Sequence, residues 1–242
     1  GGTKVDDFHI LAKEYIFTLN VCATQELHRR IISQEARINA AQSDRVYVPN
    51  LAYDLLEQII FEARESEYID TKSGVSARMS ISMLESLVST AERRALLNRE
   101  KSTTVRLADF MGIIPAITGK VELVYEGEQE GAEQVSFHLI SQAIKTLFPA
   151  YFPEIKKLKK QEEEGPYDQL LEWFYGDNEL FLEDNLSDNL YHDTLMNVPN
   201  LKKLITAYNV DCRDEDLLFM MEFLLWGLEA NKKLNKYRTM EG

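Results

Sequence analysis

Apolar residues recur at helical spacing along most of the chain, and this pattern predicts a mainly α-helical fold. One amphipathic helix is expected over about residues 51–67, with these apolar positions on one side: Leu51, Leu55, Leu56, Ile59, Ile60 and Ala63. A second is expected over about residues 76–98, with this buried stripe: Ile81, Leu84, Leu87, Val88, Ala91, Ala95 and Leu96. A third, over about residues 214–236, is apolar nearly all round between Leu217 and Leu228, which predicts a buried helix.

Extended structure is predicted only in short pieces. Thr103 to Val105 is a short extended run, and the alternating residues from Val121 to Tyr125 are typical of a strand. We therefore expect at most a short β-hairpin near residues 103–125. The stretch from Glu126 to Gly131 is acidic and contains two glycines, which favours a flexible turn.

These patterns divide the chain into three parts. Residues 1–47 are predicted to form an N-terminal helical segment, residues 48–120 a helical bundle, and residues 121–242 an acidic helical extension. Within the extension, a helix is expected from about residue 133 to 147 and is expected to break at Pro149, because proline cannot donate a helical hydrogen bond.

Charge is unevenly distributed along the chain, whose formal net charge is −13. Residues 1–118 hold 14 Lys and Arg against 16 Asp and Glu, a net −2, whereas residues 119–242 hold 13 against 24, a net −11. The second half would repel nucleic acid and acidic membrane surfaces, so neither is expected as a partner. The two cysteines, Cys22 and Cys212, form no disulfide framework or zinc motif, and a reducing cytoplasm is the default expectation.

Motifs that would support catalysis by this chain alone are missing from the sequence. It contains neither the Gly-x-x-x-x-Gly-Lys-[Ser/Thr] loop that cradles nucleotide phosphates nor Gly-x-Ser-x-Gly. The richest local set of hard-metal ligands is His192 and Asp193 with Glu183, Asp184 and Asp188. Acidic residues in loops are usually solvated, so no specific metal site is expected there.

An arginine at a helix start is the least expected feature of the sequence. Gly74 ends one segment, Ser76 is a suitable N-cap, and Arg78 falls in the first turn of the predicted helix. A cation there is slightly disfavoured by the helix dipole. Arg78 is therefore either an ordinary surface arginine or a residue that meets an anion such as a phosphate.

A second group of cations lies at the other end of the same predicted helix. It comprises Arg93, Arg94, Arg99 and Lys101. Cations are favoured at helix C-termini, and this electrostatic fit is enough to explain the group structurally.

From about Val48 to Glu130 the sequence resembles the helical lid of an AAA+ ATPase, most closely the magnesium chelatase ATPase-subunit and MoxR branch. The resemblance is carried by four short stretches: Glu62-Ala63-Arg64, Ser73-Gly74-Val75-Ser76-Ala77-Arg78, Ala91-Glu92-Arg93-Arg94-Ala95 and Val105-Arg106-Leu107-Ala108-Asp109-Phe110. Family lids often have Gly-x-Ser-Pro-Arg at the second stretch. Here Ala77 replaces the proline, which is a tolerable change at a first helical position.

The resemblance implies a nucleotide-sensing role for Arg78, which is similar to the sensor-2 arginine that approaches the γ-phosphate of ATP. Ser76, Arg93 and Arg94 are candidate supporting residues. ATP and magnesium are implied only together with an ATPase core, a ring homo-oligomer is implied for the intact protein, and a partner with a von Willebrand A-type domain is a further implication. Catalytic residues are not expected within this chain.

The Walker A, Walker B, sensor-1 and arginine-finger modules of that family are not in the sequence. Because the chain starts Gly1-Gly2-Thr3 without methionine, we expect it to be a piece of a longer protein whose ATPase core lies upstream. Two alternatives stay open. The chain could be a nucleotide-independent helical adaptor that binds proteins, or a metal-dependent hydrolase using the acids around His192, which is the less expected of the two.

Overall fold

The computed structural model describes residues 26–27, 29–70, 75, 78–155, 165–176 and 178–235. Residues 29–35 are helical. The elements that follow are α1 (Ala40–Arg45), β1 (Val46–Tyr47), α2 (Asn50–Glu65), α3 (Arg78–Leu97), β2 (Thr103–Thr104), a 3-10 helix (Leu107–Ile113), α4 (Ile114–Thr118), α5 (Tyr125–Glu130), α6 (Ala132–Tyr151), α7 (Asp168–Tyr175), α8 (Asp188–Met196), α9 (Leu201–Tyr208) and α10 (Asp214–Ala230).

The prediction of a mainly helical fold with at most a short β element is confirmed. Strands β1 and β2 form a two-stranded parallel sheet in which Val46 lies opposite Thr103. The alternating run that follows residue 120 contributes one isolated antiparallel bridge, between Leu123 and Ile69, rather than a strand. It stops there because Tyr125 already begins a helix.

Three local predictions in the extension were wrong. The expected acidic turn is helix α5, and acidic residues in its first turn suit the helix dipole. Helix α6 continues through Pro149 to Tyr151, because the proline lies in the last turn and the aromatic side chains on either side of it are buried. Helix α10 ends at Ala230 rather than near residue 236. Shortly after this end, Lys232 adopts a left-handed backbone conformation with φ of 59°.

The core is continuous between the predicted bundle and the predicted extension. Helix α6 packs against α2 on one side and against α10 on the other, and α3 packs against α2 and the 3-10 helix. The predicted apolar face of α2 is buried throughout. In the predicted stripe of α3, Ile81 is half-buried and all other positions except Leu96 are buried. Leu96 is 55% exposed, so its predicted burial was wrong.

Helices α6 and α10 approach each other so closely that only glycine fits at the crossing. A Cβ built on Gly227 would lie 2.0 Å from Cδ2 and 2.3 Å from Cε2 of the Phe148 ring. That ring is itself fixed, since it is buried and contacts Phe152, Phe223 and Tyr167. Helices α6 and α10 of the extension are therefore held to each other by a tightly packed aromatic cluster.

We expect Gly227→Ala to destabilise the protein by about 2 kcal/mol, although alanine is the better helix former, because the added methyl group overlaps the Phe148 ring. Urea denaturation measures the effect. In a Phe148→Ala background the ring atoms that clash, Cδ2 and Cε2, are both gone, so Gly227→Ala should lower the free energy of unfolding much less. If Gly227→Ala lowered the free energy of unfolding equally in the two backgrounds, the contact with the Phe148 ring would not be the reason why glycine is needed here.

Within the described residues, no helix is both long enough and apolar enough to cross a membrane.

Candidate functional site

Arg78 is the first residue of α3, a helix of 20 residues, and its side chain is exposed. The first N–H groups of a helix have no partners within the helix, and they carry partial positive charge. An exposed guanidinium at this place adds a full positive charge to that end of the helix. The predicted cap, Ser76, and its neighbours Gly74 and Ala77 lie outside the described residues.

The opposite end of α3 enters a buried network of charged side chains. Arg94 is 2% exposed, and its Nε and Nη2 atoms donate to the two carboxylate oxygens of Asp109, at 3.2 and 2.9 Å. The Asp109 carboxylate also accepts from the backbone N–H of Arg106 at 2.8 Å, which caps the 3-10 helix. Burial opposes the charge on Arg94, but Asp109 and Asp188 outweigh it and raise the pKa of the guanidinium.

Asp188, at the start of α8, joins this network from the extension. Its Oδ1 atom accepts from Arg94 Nη1 at 2.8 Å and from the Thr103 hydroxyl at 2.9 Å, and it also pairs with the guanidinium of Arg106. Its backbone N–H donates to Glu100. One carboxylate of the extension therefore binds two arginines of the predicted lid.

Arg106 is the second buried arginine, and it is held by contacts of three kinds. Besides the ion pair to Asp188, its Nη1 donates to the carbonyl of Leu186 at 2.8 Å. Its guanidinium stacks over the ring of Tyr191 in α8, with Cζ 3.9 Å from the ring centroid. A planar guanidinium is suited to this combination of stacking and hydrogen bonding.

Glu222 adds a link from α10 to the 3-10 helix. Its carboxylate accepts from the backbone N–H groups of Leu107 at 2.6 Å and Ala108 at 3.3 Å, so it caps the 3-10 helix from another element. The Tyr191 hydroxyl lies close enough to Glu222 to interact with it electrostatically. It forms no hydrogen bond of normal geometry with any of the described residues. Burial raises the pKa of Glu222 to about 7, because the bonds to its carboxylate only partly offset the lost hydration.

The raised pKa of Glu222 makes stability depend on pH. Between about pH 4.5 and 7 the unfolded chain loses this proton while the folded protein retains it, so stability falls as the pH rises. We expect the free energy of unfolding of the wild type, measured relative to that of Glu222→Gln, to fall by roughly 3 kcal/mol between pH 4.5 and 8. Urea denaturation of both proteins across this range measures the difference. Parallel pH profiles for the two proteins would contradict a buried, proton-binding Glu222.

The dipole interpretation of the cations at the end of α3 was incomplete. Arg93 is exposed, but Arg94 is enclosed by carboxylates, so its partners and not the helix dipole explain it. Along the helix it lies about 24 Å from Arg78. A supporting role toward nucleotide for Arg93 and Arg94 stays a prediction, and the structure gives Arg94 a role in joining elements.

The acids around His192 are not arranged as a metal site. Asp188 is engaged by arginines, and the His192 ring contacts only its neighbour Asp193, at 3.1 Å, among the hydrogen bonds of the described residues. Across the described ranges, no three His, Cys, Asp or Glu side chains are grouped to hold a metal ion.

Comparisons with protein-family models, with curated proteins and with solved structures found no match.

Proposed function

We propose that this chain is the lid and C-terminal extension of an AAA+ ATPase similar to the magnesium chelatase and MoxR proteins. In the intact protein Arg78 would contact the phosphates of ATP bound to a core that another part of the polypeptide supplies. The lid would couple ATP binding and hydrolysis to remodelling of a partner protein. Magnesium would act in that core, together with the nucleotide.

The observation that carries this proposal is the position of Arg78. A long helix begins at this residue and the side chain is exposed, which fits contact with a phosphate outside the chain. Arg78 alone would leave most of a triphosphate unsatisfied, because the sequence has no phosphate-binding loop. The residues present thus fit one contact to ATP and not a whole nucleotide site.

A second support is the way in which α3 is anchored. Its C-terminal end is locked to Asp109 of the 3-10 helix and to Asp188 of the extension by buried ion pairs. Helix α10 of the extension caps the same 3-10 helix through Glu222. A displacement of α3 at the Arg78 end would therefore carry the extension with it.

The remaining features of the proposal concern partners and location. We propose a ring homo-oligomer for the intact protein, a cytoplasmic location, and recruitment of a partner, such as one with a von Willebrand A-type domain, by the acidic extension. Nucleic acid is not proposed as a partner, because residues 119–242 carry a net charge of −11.

The experiment that tests the proposal is ATP hydrolysis by the whole gene product from which this chain derives, with and without Arg78. We expect magnesium-dependent hydrolysis that falls when Arg78 is replaced. If the whole gene product neither binds nor hydrolyses ATP, the alternative holds and the chain is a nucleotide-independent helical adaptor.

A further inference from the structure

An apolar groove lies between the start of α2, the end of α6, the α9–α10 connection and α10. Its volume is about 470 Å³. The floor is formed by buried side chains, namely Leu51, Phe219 and Met220. At the rim, Tyr208 is 44% exposed and Val210 is 83% exposed. Together with the apolar floor these exposed side chains form a contiguous apolar patch, and such patches mark interaction sites, whereas a single exposed apolar residue does not.

The rim is held in place by hydrogen bonds. The side-chain amide of Asn209 donates to the carbonyl of Tyr151 at 3.0 Å, and the backbone N–H of Cys212 donates to the carbonyl of Asn209 at 3.0 Å. Val210 is therefore displayed by a connection whose ends are fixed. A surface ordered before binding loses less entropy when it is covered.

The rim is also strongly acidic. Asp211 and Asp216 line the groove, and the stretch that carries them, residues 208–216, also holds Asp214 and Glu215 against the single cation Arg213, a net −3. Arg213 is paired with Asp216 at 2.9 Å, so these two charges offset each other and the net −3 comes from Asp211, Asp214 and Glu215. A partner covering Val210 would meet a negative potential on that side of the groove.

This charge decides which occupant fits. A second copy docked groove to groove would place its own acidic rim against this one, and nucleic acid and anionic lipid would bring further negative charge to it, so all three are disfavoured at this groove. A segment of another protein that presents an apolar side chain between lysines and arginines satisfies both the apolar floor and the acidic rim. The groove is small, so its contacts suit a weak and transient complex.

We propose that the groove around Val210 docks a basic segment of a partner protein, which inserts an apolar side chain onto Phe219 and Met220. This docking site would recruit the partner protein of the proposed function, and the inference rests on that part of the proposed function alone. It does not depend on ATP, because binding in the groove needs no nucleotide. A failure to bind peptides would leave ATP turnover and its dependence on Arg78 unaffected.

The test uses an array of short peptides that each carry a central Leu, Phe or Met among Lys and Arg residues, beside copies in which every Lys and Arg is Glu. We expect micromolar binding of some basic peptides and none of their acidic copies. Asp211→Lys should weaken the binding about 10-fold, since it reverses a rim charge, and Val210→Ser about 5-fold, since it removes apolar contact.

The matched control is Asp193→Lys, which changes the net charge equally at an exposed position of α8 outside the groove. It should alter binding less than about 2-fold. Thermal melting checks that each variant folds. The proposal is overturned if no basic peptide binds, or if the two aspartate variants weaken binding equally, which is nonspecific attraction. Dimerisation of the chain that Val210→Ser abolishes would also overturn it and assign the groove to a second copy.

Discussion

Replacing Arg94 with alanine is expected to lower the free energy of unfolding by about 3–5 kcal/mol, the cost of breaking a buried ion pair. The change leaves the buried Asp109 carboxylate with the backbone N–H of Arg106 but without its arginine, and it removes Arg94 from Asp188, which keeps Arg106. Burial of a carboxylate that has lost its counter-charge is unfavourable, and the side chain also leaves a cavity. A melting temperature lower by roughly 10 °C would correspond to this loss.

The neighbouring arginine provides the control. Arg93 lies on the same helix but is exposed, so Arg93→Ala should change stability by no more than about 0.5 kcal/mol. Arg94→Lys retains the charge but lacks the planar guanidinium that binds both oxygens of Asp109. Its loss of stability should therefore lie between those of the two alanine variants. If Arg94→Ala and Arg93→Ala have the same melting temperature, the buried network does not stabilise the fold.

Most of the helical framework could be predicted from periodicity because amphipathic faces leave a regular trace in the sequence. The apolar positions of α2 and the all-round apolar stretch of α10 were found in this way. The errors fell where local preference was overridden. Pro149 is tolerated in the last turn of α6, and α5 forms at a site rich in acids and glycine because Gly127 packs against the backbone of Tyr68.

The charged network was not predicted, since it is assembled from residues far apart in the chain. Two signals could have pointed to it. Arg94 is in phase with the apolar stripe, three residues after Ala91 and seven after Leu87, whereas Arg93 is out of phase. Glu222 is the one charged residue in the apolar run from Leu217 to Leu228. A charge at a buried position implies a partner, but periodicity cannot identify which one.

The proposed role of the Arg78 end of α3, in contrast, comes from a resemblance to a known family and from the place of Arg78 at the helix start. A guanidinium at this place would stabilise the charge that develops on the phosphate during hydrolysis. Removing such a donor from other enzymes lowers turnover by a factor of roughly 100 to 1,000. Because Arg78 is exposed, its loss should leave the melting temperature nearly unchanged.

Variants of two kinds separate a phosphate contact from a general effect of charge. Arg78→Lys keeps the positive charge but not the bidentate fork, so it should restore part of the turnover that alanine loses. Arg30→Ala removes an arginine that is exposed and paired only with Glu26 among the salt bridges of the described residues. It should leave turnover within about 2-fold of the wild type.

ATP turnover of the whole gene product, compared between wild type, Arg78→Ala and Arg30→Ala, tests the central claim most directly. We predict that Arg78→Ala lowers turnover at least about 100-fold without lowering the melting temperature, while Arg30→Ala turns over ATP as the wild type does. Turnover by Arg78→Ala at the wild-type rate would contradict a nucleotide-sensing role for this helix start.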